Sequence, residues 1–175
     1  TWSSHATPPQ ANATEKIGQG GSNPDNRCYG LVPCLRESEA MHTLIYCDID
    51  GVLHRWPCPP EEMFDPACIG LLHDAIQARH VGIVITSTWR LEWPLESLRE
   101  RLGPLGSRVV GVTPEIDDPF VRHARYQEVL THWDQLDPKP IQWVAIDDEP
   151  GRYPCHQPNL ILTNPSTGLR RTDVA

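Results

Sequence analysis

The sequence predicts an α/β protein, a three-layer sandwich around a five-stranded parallel, Rossmann-like sheet. Short apolar runs beginning near Leu44, Val81, Arg108, Gln142 and Asn159 alternate with segments of helical periodicity, the pattern of right-handed βαβ units. The runs show little polar alternation, as expected of strands buried on both faces. Three of them end in polar pairs, Asp48 and Asp50, Thr86 and Ser87, Asp147 and Asp148. In a parallel sheet such ends open on one edge, where ligands bind.

Residues 1–40 stand apart from this pattern. Thr1 to Asn26 is rich in Ser, Pro, Gly, Asn and Gln and nearly devoid of aliphatic side chains, which leaves too little apolar surface to offset chain ordering. We expect a disordered or loosely packed extension over 1–40 and a folded unit over 41–175, starting near Met41. The first strand is the apolar run from Leu44. Asp48 and Asp50 would share a face if that strand continued through them, and Gly51 frees the backbone just beyond.

The Pro-rich stretch 54–67 reads as a loop. Asp65 can cap a helix with Pro66 at its first position, and Ile69, Leu72 and Ile76 carry its apolar face to about His80. A second strand spans 81–90 and ends in hydroxyls. A helix over 94–102 is closed by Gly103 and Pro104, and a third strand follows over 108–112. The next helix is expected over 121–136, ended by Asp137 and Pro138. Strands over 142–147 and 159–163 complete the sheet.

Composition narrows the function classes. Hydrophobic residues make up 39% and charged residues 22%, a globular balance, and no apolar run approaches the roughly 18 residues of a membrane span. The net charge of −8 argues against a broadly basic surface that coats nucleic acid, while a local basic groove stays compatible with it. No charged start followed by an apolar segment suggests a signal peptide. The six cysteines, Cys28, Cys34, Cys47, Cys58, Cys68 and Cys155, form no Cys-x-x-Cys pair and read as reduced thiols of a cytoplasmic protein. Zinc sites drawn from His54, Cys58, Cys68 and His73, or from Cys155 and His156, lack recognisable spacing.

Two carboxylates as close as Asp48 and Asp50 either raise a pKa or recruit a cation, and their hard oxygens suit Mg²⁺. Read alone, each polar pair is an ordinary turn or helix cap; landing together at one edge, they read as a site. The stretches LIYCDIDGVLH, IVITSTWR, VVGVTP, RYQEVLTHW, WVAIDDEP and LILTNPSTGL are similar to the haloacid-dehalogenase-like (HAD) superfamily of phosphatases. More narrowly, they resemble the HAD domain of predicted RNA-repair proteins and its stand-alone bacterial relatives, over roughly residues 43–169.

The resemblance implies a phosphomonoester hydrolase that works through an aspartyl-phosphate. Asp48 would be the nucleophile, and Asp50 would protonate the leaving oxygen and then activate water. Mg²⁺ would sit among Asp48, the backbone carbonyl of Asp50, and Asp147 or Asp148. Thr86 or Ser87 would bind a phosphoryl oxygen. The usual lysine is missing, since only Lys16 and Lys139 exist. Arg125 is the expected replacement, with Arg122 one turn earlier as its rival, and Arg90 is a second expected phosphate contact unless it pairs with Glu92.

No segment between these motifs leaves room for a cap domain. An open, capless site suits a large substrate such as a nucleotide or polynucleotide end or a phosphoprotein, and equally a small phosphate ester bound with little selectivity. Trp56, Trp89, Trp93 and Tyr153 are aromatics that could stack on a base, although packing explains each of them as well. The reading from another class is a HAD-like fold used for binding, with weak or no turnover. A receiver-like phosphoacceptor is disfavoured because the third strand ends in Gly111, Val112 and Thr113 without an aspartate.

Overall fold

The computed structural model describes residues 41–174; the expected extension over 1–40 lies outside the described residues. Five strands form one parallel sheet: β1 Thr43–Cys47, β2 Val81–Ile85, β3 Val109–Val112, β4 Gln142–Asp147 and β5 Leu160–Leu162, in the order β3-β2-β1-β4-β5. Strand β1 is central, and the strand order reverses on either side of it, so a crevice at its carboxyl end is the expected ligand position.

Side-chain alternation along the apolar runs explains why both faces are buried. Ile45, Cys47, Ile83, Ile85 and Ile146 pack with Leu72 and Leu98, which come from α1 Pro66–Ile76 and α3 Leu95–Arg101. Leu44, Tyr46, Val84 and Ala145 pack with Val129 of α4 Ala124–Asp134. Helix α4 crosses from β3 at one edge to β4 beyond β1, which carries it onto the opposite face.

Several expected boundaries move, for local reasons. Asp65 caps α1 by accepting from the Ala67 amide at 2.8 Å, with Pro66 at the first position. The helix ends at Ile76 rather than near His80, because the Arg79 amide donates to the Ile76 carbonyl in a tight turn. Strand β2 stops at Ile85; of the residues expected to continue it, Thr86 to Thr88 form a bend and Trp89 and Arg90 begin a one-turn helix, α2 Trp89–Glu92. Helix α4 cannot extend back to Val121, since His123 takes a left-handed φ of 56°. Between β1 and β2 the chain holds one 3-10 turn and α1, with no inserted cap domain.

The parallel ladder continues one residue past the strands. Asp48 donates its amide to Ile146, Thr86 to Cys47, Thr113 to Ile85 and Thr163 to Asp147, each at 3.0 Å. These bonds hold the polar ends at one level. Space is as tight elsewhere: a Cβ on buried Gly106 would lie 2.1 Å from the Arg99 carbonyl oxygen, backbone that has no way to swing aside. Gly106→Ala should therefore lower stability by about 2 kcal/mol, read by urea unfolding; an unchanged midpoint would contradict this packing.

A second test concerns Tyr46, whose hydroxyl lies 2.9 Å from His132 Nδ1. Burial lowers the His132 pKa below its ordinary value of roughly 6.5. The folded state then binds fewer protons than the unfolded chain just below that value. The stabilisation is complete above the unfolded pKa and is lost as pH falls through the folded one. Melting curves from pH 7.5 to 5 should show a steeper loss for the wild type than for His132→Phe.

Candidate active site

Strand β1 ends at Cys47; Asp48 continues its ladder by one residue, whereas Asp50 is placed by the turn that follows. Val52 and Leu53 both donate their amides to the Ile49 carbonyl, and Gly51 takes a φ of 67°. A side chain at Gly51 would meet Asp148 Oδ2 at 2.3 Å, so glycine lets the first loop approach the carboxylate that follows β4.

Asp48, Asp147 and Asp148 each bring a carboxylate oxygen within 4.8 Å of the others. Asp48 and Asp147 are buried and Asp148 is half-buried. Asp48 Oδ1 accepts from the Ile49 amide at 2.8 Å. Asp147 Oδ1 accepts from the Glu149 amide at 2.9 Å, and its Oδ2 from the Tyr153 hydroxyl at 3.3 Å. Burial, then the charge of Asp48, push the Asp147 carboxyl up to about 6 against the opposing pull of Arg125. Asp148 is raised by the same two causes.

The cation among them is Arg125, in the first turn of α4. Its Nη1 lies 2.9 Å from Asp48 Oδ2 and 3.1 Å from Asp147 Oδ2, and the residue is 4% exposed. Burial disfavours the guanidinium charge, but the two carboxylates outweigh that and its pKa is raised. Arg122 precedes the helix and is exposed. Lys139 pairs with Asp134 at 2.8 Å, just ahead of β4 and away from this edge.

Arg90 is engaged inside the protein, and its acidic partner is Glu128 rather than Glu92. Its guanidinium donates to the carbonyls of Thr86, Ser87, Thr113 and Pro114 and pairs with Glu128 at 2.9 Å. All of its N–H groups are thus spent on tying the ends of β2 and β3 to α4. The two hydroxyls also separate. Thr86 Oγ1 is 3.4 Å from Arg125 Nη1, whereas Ser87 Oγ is buried without a hydrogen-bond partner among the described residues and lines the cleft.

That cleft, about 170 Å³, is lined by Asp48, Asp50, Ser87, Arg125 and Asp148, with Trp56 and Arg152 beside them. A larger cavity of about 610 Å³ opens near the start of the strands, at His42, Val81 and Ile141. Size favours the larger space, but chemistry favours the smaller one, which holds the aspartates. Of the aromatics, Trp56 alone keeps an exposed ring there, at 46%. Tyr153 is buried against Asp147, and Trp93 lies under the Arg101 guanidinium. Trp89 donates its indole N–H to Asp50 Oδ2 at 3.0 Å.

Asp50 joins the cleft, but its carboxylate lies outside the acidic cluster. Its expected part in metal binding would come from its backbone carbonyl. Its Oδ1 contacts His54 Nε2 at 2.9 Å, a partnership that sequence reasoning missed. The only signal for it was the four-residue spacing, which is informative only once the turn is known. The zinc alternatives find no support among the described residues. His54 is engaged by Asp50, Cys68 faces the Leu169 carbonyl, and Cys47, Cys58, Cys68 and Cys155 are free thiols. Cys28 and Cys34 lie outside the described residues.

A parallel sheet with buried aspartates from β1 and β4 gathered at its carboxyl edge defines a HAD-like domain, of the haloacid-dehalogenase-like superfamily of phosphohydrolases. Residues 44–174 match the family described as the HAD domain in Swiss Army Knife RNA repair proteins, and the chain belongs to that family. No curated protein and no solved structure matches it. No helix among the described residues is long and apolar enough to cross a membrane.

Arg125→Met would leave two buried carboxylates facing each other. It should cost roughly 3 kcal/mol in urea unfolding without divalent cations, and added Mg²⁺ should recover part of the loss. An undiminished stability would show that Arg125 does not hold the cluster together.

Proposed function

We propose that the chain is a Mg²⁺-dependent phosphomonoester hydrolase working through an aspartyl-phosphate, with nucleotide or polynucleotide ends as its substrates. The observation that carries this reading is the carboxylate cluster of Asp48, Asp147 and Asp148, with an unpartnered Ser87 hydroxyl in the same cleft. Three hard oxygen donors fit Mg²⁺. Bound by Asp48, Asp147 and Asp148, the ion would reduce repulsion between an anionic nucleophile and an anionic phosphate.

The chain's own residues divide the work. A carboxylate oxygen of Asp48 attacks phosphorus, and the bond from phosphorus to the ester oxygen breaks. Asp50 gives its proton to that departing oxygen. In the second half, water attacks the phosphorus of the aspartyl-phosphate while Asp50 takes the proton. Inorganic phosphate leaves, and the Asp48 carboxylate is restored. Ser87 donates to a phosphoryl oxygen, and Arg125 keeps Asp48 oriented.

A cleft of about 170 Å³ is below the roughly 300 Å³ at which small-molecule sites begin. It suits a phosphoryl group whose remainder lies outside, across Trp56 and Arg152. That favours a terminal phosphate on a large substrate, in keeping with the RNA repair named in the family description. Chemistry of this kind fits a cytoplasmic protein.

One feature favours the non-catalytic alternative. Arg125 already neutralises Asp48 and Asp147 at 2.9 and 3.1 Å, so the fold can hold its acidic residues without an ion. Hydrolysis of an aryl phosphate with and without Mg²⁺, by the wild type and by Asp48→Asn, decides between the two. The enzyme reading expects Mg²⁺-dependent turnover, cut roughly a thousandfold or more by the substitution. Turnover unaffected by Asp48→Asn would remove the proposed nucleophile, and an inert wild type would support the binding module. Phosphorylated oligonucleotides compared with small phosphate esters would then define the substrate.

A further inference from the structure

Asp50 is held differently from the other aspartates of the cleft. Arg125 touches Asp48 and Asp147, whereas both oxygens of Asp50 are met by uncharged N–H groups from two separate parts of the chain. His54 Nε2 lies 2.9 Å from Oδ1, and Trp89 Nε1 lies 3.0 Å from Oδ2. The indole N–H can only donate. The tautomer of His54 follows from its other nitrogen, since the Phe64 backbone amide reaches Nδ1 at 3.3 Å. An amide N–H only donates, so Nδ1 carries the lone pair and Nε2 carries the hydrogen that points at Asp50.

Phe64 stands behind both donors. It takes a left-handed φ of 59°, uncommon for a bulky residue, and this turns its amide toward His54. Its ring meets the Trp89 ring edge-on at 5.1 Å between centroids and the His54 ring at 6.0 Å. His54 is fully buried, so its imidazole has no water to swing into. The Asp50 side chain remains 25% exposed and lines the cleft, and a carboxylate has more acceptor positions than these two N–H groups occupy.

We infer that His54 and Trp89, backed by Phe64, are positioning residues that aim the Asp50 carboxyl at the leaving oxygen of the substrate. This inference rests on the phosphatase reading and deepens it. A donor at each oxygen fixes the plane of the carboxyl group, which would otherwise rotate about a soft torsion. Proton transfer demands close alignment within hydrogen-bond reach. Neither residue touches the phosphate or takes part in bond making.

The test is the dependence of kcat/KM on leaving-group acidity, measured on aryl phosphates whose phenols range from acidic to weakly acidic. Trp89→Phe keeps an aromatic ring against Phe64 and removes the N–H. His54→Phe removes the other donor, and His54→Gln restores one. A well-placed general acid makes the rate nearly insensitive to the phenol. Both donor-deleting variants should therefore lose about tenfold or more on the least acidic phenol and little on the most acidic one. His54→Gln should recover part of that loss.

The variant Asp50→Asn sets the limit of the effect. The most acidic substrate serves as the internal control for folding, because a damaged fold slows every substrate alike. Equal losses across the series, or none, would overturn the positioning role while leaving the phosphatase reading intact. A wild type that hydrolyses none of the esters would sink both.

Discussion

Negative charge concentrated at one end of a buried sheet is the condition to which the rest of this molecule answers. Asp48 and Asp147 are almost wholly removed from water, and Asp148 stands within reach of both. At an effective dielectric near 20, two charges about 4 Å apart interact by roughly 4 kcal/mol, well above the ~1 kcal/mol net of an ordinary hydrogen bond. Such a cluster persists only with a cation, a retained proton or both. Arg125 supplies the cation, while burial first and the charge of Asp48 second still push the Asp147 carboxyl up. A residual excess of negative charge is what a divalent ion would find attractive.

The surrounding scaffold keeps this arrangement from relaxing. Arg90 spends its guanidinium on four backbone carbonyls and Glu128, joining the ends of β2 and β3 to the helix that carries Arg125. The side chains of Arg90 and Glu128 are 3% and 7% exposed. A buried pair of this kind is costly to break and does little to stabilise the fold by itself. Its visible consequence is geometric, because the turn carrying Ser87 is held by the same guanidinium. On the other side of the cleft, Thr163 donates its hydroxyl to the Gly51 carbonyl at 2.8 Å, which ties β5 to the loop of Asp50.

The division between charged and uncharged partners gives the aspartates separate characters. Arg125 lies against Asp48 and Asp147 and opposes the upward shift of Asp147, which suits the nucleophile and ligand roles proposed for them. Asp50 is approached instead by an imidazole and an indole, which fix the plane of its carboxyl group for the proton transfer proposed for it. Similar residues on one turn thereby become fit for different chemistry.

The sequence alone determined the parallel α/β class and the edge at which the acidic residues meet. Strands covered on both faces must be apolar throughout, so polar residues mark where they stop. The order of the runs with their helices then leaves little choice of topology. Only the tertiary structure decided what each guanidinium touches. Arg90 and Arg125 are both long side chains near the same edge, and which of them meets Asp48 and Asp147 rather than Glu128 depends on where α2 and α4 come to lie. The same holds for Thr86 against Ser87, which both follow the end of β2 but meet different surroundings, Arg125 for the one and the cleft for the other. The link from Asp50 to His54 and Trp89 depends on a turn closing back on itself and on aromatic packing between distant segments. Local sequence encodes the periodicity of an element, while contacts of that kind arise only when the elements are packed together.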